Sequence, residues 1–321
     1  MRWGFALVLT IVLIAVAAAV PAVDLGEVAH AALRLDGTTL SAVLLLSLTN
    51  YALRFGRWHG YVRDLGHRVP LLRHLAIYVA GFALTPTPGK VGEGLRAFYL
   101  RPFGIRFGRA ISLLYAERLL DVMAVSLLGA LLCLAPVSGF RWLATLGGAL
   151  VVVLLALQHP TVLAATRRAL ERLPRGRLRL GEAAMRITAF QHDVTALVRP
   201  GLLLPGLAVG LAAWLAEGFG LYLVAAAMGI DIGPLAAIAI YATAMLAGAL
   251  SFVPGGLGSA EAAMAALLAL AGAPLPAAIA ATALIRAATL WFAVVLGAAA
   301  WLGLEVDRRM LATPHVREGR G

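Results

Sequence analysis

The chain has 321 residues, of which 61% are hydrophobic and 13% are charged, and its mean hydropathy is +0.89. Soluble domains are roughly half apolar, so this composition argues against a soluble protein and indicates a polytopic helical membrane protein. The net charge of +11 lies between the apolar runs, which favours cytoplasmic loops beside anionic lipid over nucleic-acid binding. Cys133 is the single cysteine, which excludes an intrachain disulfide or a cysteine-based metal site.

In chain order, the predicted elements are six membrane spans and two interrupted apolar segments. The spans are residues 4–22, 39–55, 110–134, 141–158, 201–228 and 276–303, each close to or above the roughly 18 residues that cross a bilayer. One interrupted segment is 74–100, broken at Pro86, Pro88 and Gly89, and the other is 234–272, broken at Pro254 to Gly258. The run at 4–22 fits a signal peptide or a retained first span, and its length favours the retained span.

Basic residues predict how the spans are oriented. The arginine-rich regions indicate the cytoplasmic side, and they are the loops Arg54–Arg73 and Arg96–Arg109, the stretch 159–200 and the C-terminus. The segments 23–38, 135–140 and 229–233 carry little positive charge and indicate the outside. Both termini are then on the cytoplasmic face of the cytoplasmic (inner) membrane, and each interrupted segment begins and ends on one side. We therefore expect two re-entrant hairpins entering from opposite faces, although the length of the second leaves a full double crossing open.

This arrangement predicts a single membrane domain, 1–321, with an internal repeat. Residues 39–134 and 201–303 each show span, hairpin and span in opposite orientation, which is the pattern of an inverted-topology repeat. The other parts are an N-terminal span and external loop at 1–38, a linking span and basic cytoplasmic connector at 135–200, and a cytoplasmic tail at 304–321. The alternative is an ordinary helix bundle with kinks at glycine and proline.

The two interruptions share a motif. The first is Pro88-Gly89-Lys90-Val91-Gly92 followed by Glu93, and the second is Pro254-Gly255-Gly256-Leu257-Gly258 with Glu261 three residues later. Broken helices free backbone groups that lipid cannot satisfy, and paired breaks in two halves point to a transporter's central site. We expect half-helices to start near Val91 and Ser259, with Ser259 as an N-cap, and to direct their positive ends at an anion.

Charged residues within the apolar segments are the candidate site. A charge at mid-membrane costs at least about 2.5–3.5 kcal/mol, so each needs a partner or a water-filled cavity. The candidates are Lys90, Glu93, Glu117, Arg118, Asp121, Glu217, Glu261 and Arg286.

Their spacing gives each candidate an expected environment. Glu117, Arg118 and Asp121 lie three and four residues apart and can face one interior, where an Arg–Asp pair that only fixes packing is an equal alternative. Arg286 has no acid within four residues, so Glu261, Glu217 or a bound phosphate would have to balance it. Glu217 lies in mid-span and is a candidate for proton coupling.

At these motifs the chain resembles the transmembrane region of lysylphosphatidylglycerol synthases, a flippase-like membrane family. The matching pieces are Thr87–Glu93, Glu117-Arg118-Leu119-Leu120-Asp121, and Pro254–Gly258 with Glu261, and the resemblance covers roughly 40–303. It implies a flippase-like integral membrane protein, related to domains that move aminoacylated phosphatidylglycerol between leaflets and to proteins of polyprenyl-linked sugar pathways. The chain departs from the full-length synthases in lacking their soluble aminoacyl-transfer domain, so lipid aminoacylation is not expected.

These observations predict a lipid flippase that moves an anionic or aminoacylated phospholipid, or a polyprenyl-linked lipid. Arg118, Arg286 and Lys90 would hold the headgroup phosphate, and the acidic candidates would pair with them when the site is empty. The sequence contains no P-loop and no G-x-S-x-G motif, so we expect neither an enzyme nor a cofactor. The expected partners are lipids with anionic headgroups and a separately encoded lipid synthase or glycosyltransferase. The alternative is a membrane accessory subunit or transferase acting on a lipid-linked phosphate.

Overall fold

The computed structural model of the chain describes residues 36–87, 91–133, 189–251 and 253–312, with isolated positions between 149 and 168. Within these ranges every regular element is a helix, as the sequence predicts. The predicted span 4–22, most of the span 141–158, most of the basic connector and the end of the tail lie outside the described residues. Pro88, Gly89 and Lys90 of the first motif also lie outside them.

The first half of the described chain contains four helices. They are α1 (Gly37–Asp64), α2 (Leu71–Ala80, continued by a 3₁₀ turn, Gly81–Leu84), α3 (Val91–Leu100) and α4 (Phe107–Gly129). Helix α1 begins where the Asp36 carboxylate accepts a hydrogen bond of 2.9 Å from the Thr39 backbone N–H, a standard N-cap. It continues nine residues beyond the predicted end at 55, because Arg54 and Arg57 belong to the helix and not to a loop.

The second half begins with α5 (Pro200–Ala227) and continues with an interrupted pair, α6 (Pro234–Leu250) and α7 (Ser259–Leu270). Helix α8 (Leu275–Arg286) passes through a π turn, Ala287–Trp291, into α9 (Phe292–Ala312). Prolines stand in the first turns of α5, α6 and α8, where the backbone N–H that proline lacks would have no helical partner. The π turn has no counterpart in the predicted span 276–303.

Among the described residues, two helical stretches are long and apolar enough to cross a membrane. They are Pro200–Ala227, with 28 residues and a mean hydropathy of 1.7, and Leu275–Asp307, with 33 residues and a mean hydropathy of 2.0. Helix α1 has 28 residues and α4 has 23, but both carry buried charges that lower their hydropathy. By length and composition, then, two of the described helices could cross a membrane, and two further long helices carry buried charges.

The helical structure is interrupted at both predicted positions. The first break follows the 3₁₀ turn at Gly81–Leu84 and ends where α3 begins at Val91. The second separates α6 from α7, and there Gly255, Gly256 and Gly258 have φ of 63°, 66° and 81°. Residues with a Cβ atom rarely adopt this left-handed backbone conformation, whereas glycine adopts it readily. The three glycines therefore allow the chain to turn between the two helices.

Two large hydrophobic cores hold the helices together, and a smaller one joins α4 to α6. One core joins α1, α2, α3 and α4 and is completed by Ala293 and Leu304 of α9. The other joins α5, α6, α7 and α8 and is completed by Val43 of α1. Helix α1 packs along α5, and α9 returns to pack on α2 and its 3₁₀ turn. Each half of the sequence thus builds one core, and one long helix from each half crosses into the other.

Candidate functional site

A cluster of charged side chains is buried between α1, α3 and α4. Arg54 and Arg57 come from α1, Arg96 comes from α3, and Glu117 and Asp121 come from α4. Their exposed fractions lie between 1% and 7%. We call these five residues the buried charge cluster. Since three guanidinium groups face two carboxylates, the cluster carries one surplus positive charge.

Asp121 binds both arginines of α1. Its Oδ2 lies 2.7 Å from Nη2 of Arg54, and its Oδ1 lies 2.6 Å from Nη2 of Arg57. Arg118 also approaches Oδ2, at 3.4 Å, from a side chain that is 34% exposed. One carboxylate therefore binds two buried guanidinium groups and contacts a third at the edge of the cluster.

Glu117 joins the cluster to α2 and α3. Its Oε2 lies 3.0 Å from Nη1 of Arg96, and its Oε1 accepts a hydrogen bond of 2.8 Å from the Tyr78 hydroxyl. The Arg96 guanidinium lies 3.9 Å from the Tyr78 ring centroid, a cation–π distance. Gly81 leaves room for this side chain, because a Cβ there would lie 2.4 Å from Nε of Arg96. The 3₁₀ turn before the first break thus helps to position an arginine.

The cluster also has hydrogen-bond donors that are not used. Nε of Arg54, Nε of Arg57 and Nε1 of Trp214 are buried and have no hydrogen-bond partner among the described residues. Trp214 lies on α5, and its ring is 5.4 Å from the Arg54 guanidinium. A buried donor without an acceptor costs free energy. Surplus positive charge and unused donors together favour binding of an anion beside this cluster.

A second charged group lies at the break between α6 and α7. Arg286, at the end of α8, places Nε 2.6 Å from Oε1 of Glu261 and donates from Nη2 to the Gly255 carbonyl at 3.1 Å. The other Glu261 oxygen, Oε2, accepts a hydrogen bond of 2.7 Å from the Gly258 backbone N–H. Arg286 and Glu261 together bind both a free carbonyl and a free N–H of the broken helix.

Glu217 is buried on α5 with a different kind of partner. Its Oε2 accepts a hydrogen bond of 2.7 Å from the hydroxyl of Tyr241, on α6. In the described part of the chain no ion pair within 4.0 Å involves this carboxyl group. Nor do the described residues contain a group of three or more His, Cys, Asp and Glu that could hold a metal ion.

The chain is similar to known membrane proteins over nearly its whole length. Residues 3–297 match the family described as the lysylphosphatidylglycerol synthase TM region. The chain belongs to this family. It is also 26% identical over 336 residues to a UPF0104 membrane protein of Methanothermobacter thermautotrophicus, covering 97% of this chain and 99% of that relative. The family match extends farther towards the N-terminus than the motif-based resemblance, which begins near residue 40.

The structure brings most of the predicted site residues of this family member into two groups. Glu117, Asp121 and the edge residue Arg118 lie in one, and Glu261 and Arg286 lie in the other. Lys90 and the side chain of Glu93 lie outside the described residues, although Glu93 and Gly92 belong to the first turn of α3.

Two sequence-based expectations about this region are wrong. The N-cap of α7 is Gly258, and Ser259 is the first helical residue, whose Oγ donates to the Gly256 carbonyl at 3.0 Å. Arg54, Arg57 and Arg96, which the charge pattern assigns to cytoplasmic loops, lie inside helices and are buried. A signal for two of them exists in the sequence. Positions 47, 50, 54, 57 and 61 follow one face of a helix, and all five residues are buried.

Proposed function

We propose that the protein is a flippase-like lipid transporter that moves an anionic or aminoacylated phospholipid, or a polyprenyl-linked lipid, between leaflets of the cytoplasmic membrane. The observation that carries the proposal is the buried charge cluster, in which three arginines face two carboxylates. Buried charge is expensive in a membrane protein and marks the path of a polar substrate. Surplus guanidinium groups suit a lipid phosphate, which arginine binds through paired hydrogen bonds.

The proposed architecture is six spans and two re-entrant hairpins related as an inverted repeat. Helices α1 and α4, with 28 and 23 residues, are about 42 and 35 Å long at 1.5 Å per residue, enough for a hydrocarbon core of about 30 Å. By the same rise, α2, α3, α6 and α7 reach only about 15–26 Å. These lengths support hairpins at both breaks, with both chain termini on the cytoplasmic side.

In this proposal the arginines exchange partners during transport. Arg118 and Arg286, one in each half of the chain, bind the headgroup phosphate together with Arg54 and Arg57. Asp121 and Glu261 hold the arginines when no lipid is bound, as their 2.6 Å ion pairs suggest. Lys90 and Glu93, beside the first break, are further proposed headgroup contacts. A separately encoded lipid synthase or glycosyltransferase would supply the lipid.

The test is lipid movement in proteoliposomes that contain a fluorescent anionic phospholipid. The fraction of label reached by an impermeant quencher is followed over time for wild type, Arg118→Ala and Arg286→Ala. We expect wild type to expose label from the inner leaflet and both variants to lose that activity, because each removes a guanidinium group that binds the phosphate.

Arg73→Ala is the matched control, since Arg73 pairs with Asp307 at 3.3 Å on the surface and its side chain is 47% exposed. The control should move lipid at the wild-type rate. Wild-type rates in Arg118→Ala and Arg286→Ala would contradict the assignment of the site. Absence of lipid movement in wild type as well would favour the accessory-subunit or transferase alternative.

A further inference from the structure

Among the described residues Glu217 has no ion-pair partner within 4.0 Å, unlike the carboxylates of the two charged groups. Asp121, Glu117 and Glu261 each have an arginine nitrogen within 2.6–3.0 Å. Glu217 is 5% exposed, and the tyrosine hydroxyl of Tyr241 is its partner among the described residues. An ionised carboxylate in that position would be desolvated without a direct ion pair, whereas the protonated acid would be neutral.

Helices α6 and α8 pack closely against α5 next to this carboxyl group. The residue after Glu217 is Gly218, where a Cβ would lie 2.8 Å from the Ile238 Cα of α6. Two residues farther, a Cβ on Gly220 would lie 3.3 Å from Cδ1 of Ile285, on α8. Both glycines let α6 and α8 approach α5 on either side of Glu217. The two helices thus pack closely against the part of α5 that carries Glu217, which is 5% exposed.

Glu217 also lies between the buried charge cluster and the Arg286–Glu261 pair. The titratable and charged groups that act on it come from every helix packed against α5. They are Tyr51 and Arg54 of α1, Asp121 of α4, Tyr241 of α6 and Arg286 of α8. Both arginines already have carboxylate partners, Asp121 for Arg54 and Glu261 for Arg286. Neither arginine forms an ion pair with Glu217, since each binds another carboxylate.

We infer that Glu217 is a proton-binding site whose occupancy is linked to the binding of the anionic lipid, so that a proton and the lipid move together. This inference rests on the proposed function. A phosphate bound beside Arg54 or Arg286 adds negative charge near Glu217 and favours its protonated form. By linkage, protonation of Glu217 strengthens binding of the anion by the same factor. The Tyr241 hydroxyl can donate to the carboxylate or accept from the acid, so it stabilises both forms.

The experiment uses the same proteoliposomes with a pH-sensitive dye inside and an imposed pH gradient. Lipid movement and internal pH are recorded together for wild type and Glu217→Gln. We expect the gradient to accelerate lipid movement in wild type by about fivefold or more, the lower range of coupling between binding sites. The internal pH should change along with the lipid. Glu217→Gln, which resembles the protonated acid in shape and charge, should lose both responses.

Glu305→Gln is the matched control, because Glu305 is a carboxylate on α9 that accepts a hydrogen bond of 3.3 Å from the Tyr99 hydroxyl and belongs to neither the buried charge cluster nor the Arg286–Glu261 pair. It should respond to the gradient as wild type does. Lipid movement that is indifferent to pH in wild type, without proton flux, would overturn the coupling and leave the proposed function intact. Absence of lipid movement at every pH would overturn both. A gradient response that persists in Glu217→Gln would assign the proton to another group.

Discussion

Asp121 pairs with both buried arginines of α1. Its carboxylate oxygens lie 2.7 Å from Nη2 of Arg54 and 2.6 Å from Nη2 of Arg57, and Asp121 itself is 4% exposed. Burying an ion pair gives little net stability, but removing one partner leaves the other charge without compensation. The role of Asp121 is therefore to offset the free-energy cost of burying the two arginines of α1.

This role predicts that Asp121→Asn destabilises the protein by about 3–5 kcal/mol, the cost of breaking a buried ion pair. Thermal unfolding of the purified protein in detergent measures the change. Asp307→Asn is the control, since the Arg73–Asp307 pair is exposed and should contribute at most about 1 kcal/mol. Equal stability of the two variants would show that the buried charge cluster does not depend on Asp121.

At the residue scale, the sequence predicted the acids better than the bases. Glu117, Asp121 and Glu261 stand inside apolar runs, where an isolated charge is conspicuous. Arg54 and Arg57 stand next to the exposed Arg63 and Arg68, so charge counting merges all four into one loop. Hydropathy alone cannot separate them, because the partner that makes burial possible, Asp121, lies more than sixty residues away in the sequence.

Among the elements, α9 packs unusually close to the first interrupted segment. A Cβ on Gly297 would lie 2.3 Å from the Ala83 backbone nitrogen and 2.9 Å from the Val79 carbonyl oxygen. These are backbone atoms that cannot rotate away. The close approach fixes the 3₁₀ turn before the first break against a helix from the other half of the chain.

We expect Gly297→Ala to destabilise the protein by about 1–3 kcal/mol, as overpacking does in tightly packed sites. Gly303→Ala, on the same helix, is the control because a Cβ there meets nothing within 4 Å. It should be neutral or slightly stabilising, since alanine favours the helix over glycine. The melting temperatures of both variants in detergent decide between these outcomes, and equal values would refute the packing argument.

At the element scale, the sequence predicted where helices break better than where they end. Proline and glycine have a local steric effect, so the breaks near Pro88 and Pro254 can be placed from the sequence. The end of α1 was placed too early because apolar character stops at Arg54 while the helix does not. The π turn at Ala287–Trp291 depends on packing across the molecule, and no local sequence signal marks it.

In the whole molecule, the two cores are joined by helices that cross between them. Val43 of α1 packs in the core of the second half, and Leu304 of α9 packs in the core of the first. The halves therefore cannot separate as independent bodies. The halves meet where α1 packs on α5, where α4 packs on α5 and α6, and where α9 packs on α2, so any movement of one half against the other has to change these contacts.

The proposed topology predicts that the turn after α1 and the turn after α5 lie on opposite sides of the membrane. In a Cys133→Ser background, single cysteines replace Arg68 and Asp231, both of which are exposed. An impermeant thiol reagent applied to intact cells should label Asp231→Cys, and it should label Arg68→Cys only after the cells are permeabilised. Labelling of both from the same side would contradict the inverted repeat.

The π turn that follows Arg286 determines the direction in which this arginine points. A π turn contains one residue more than the corresponding turn of an α-helix. Its conversion to regular α-helix would therefore rotate the preceding α8 about the helix axis by roughly 100° relative to α9. The Tyr51 hydroxyl, on α1, donates to the carbonyl of Thr289 within this turn. The Tyr51 side chain, from the first half of the chain, thus helps to fix the rotation of α8 about its axis. It thereby helps to fix the direction of Arg286, which belongs to the second half.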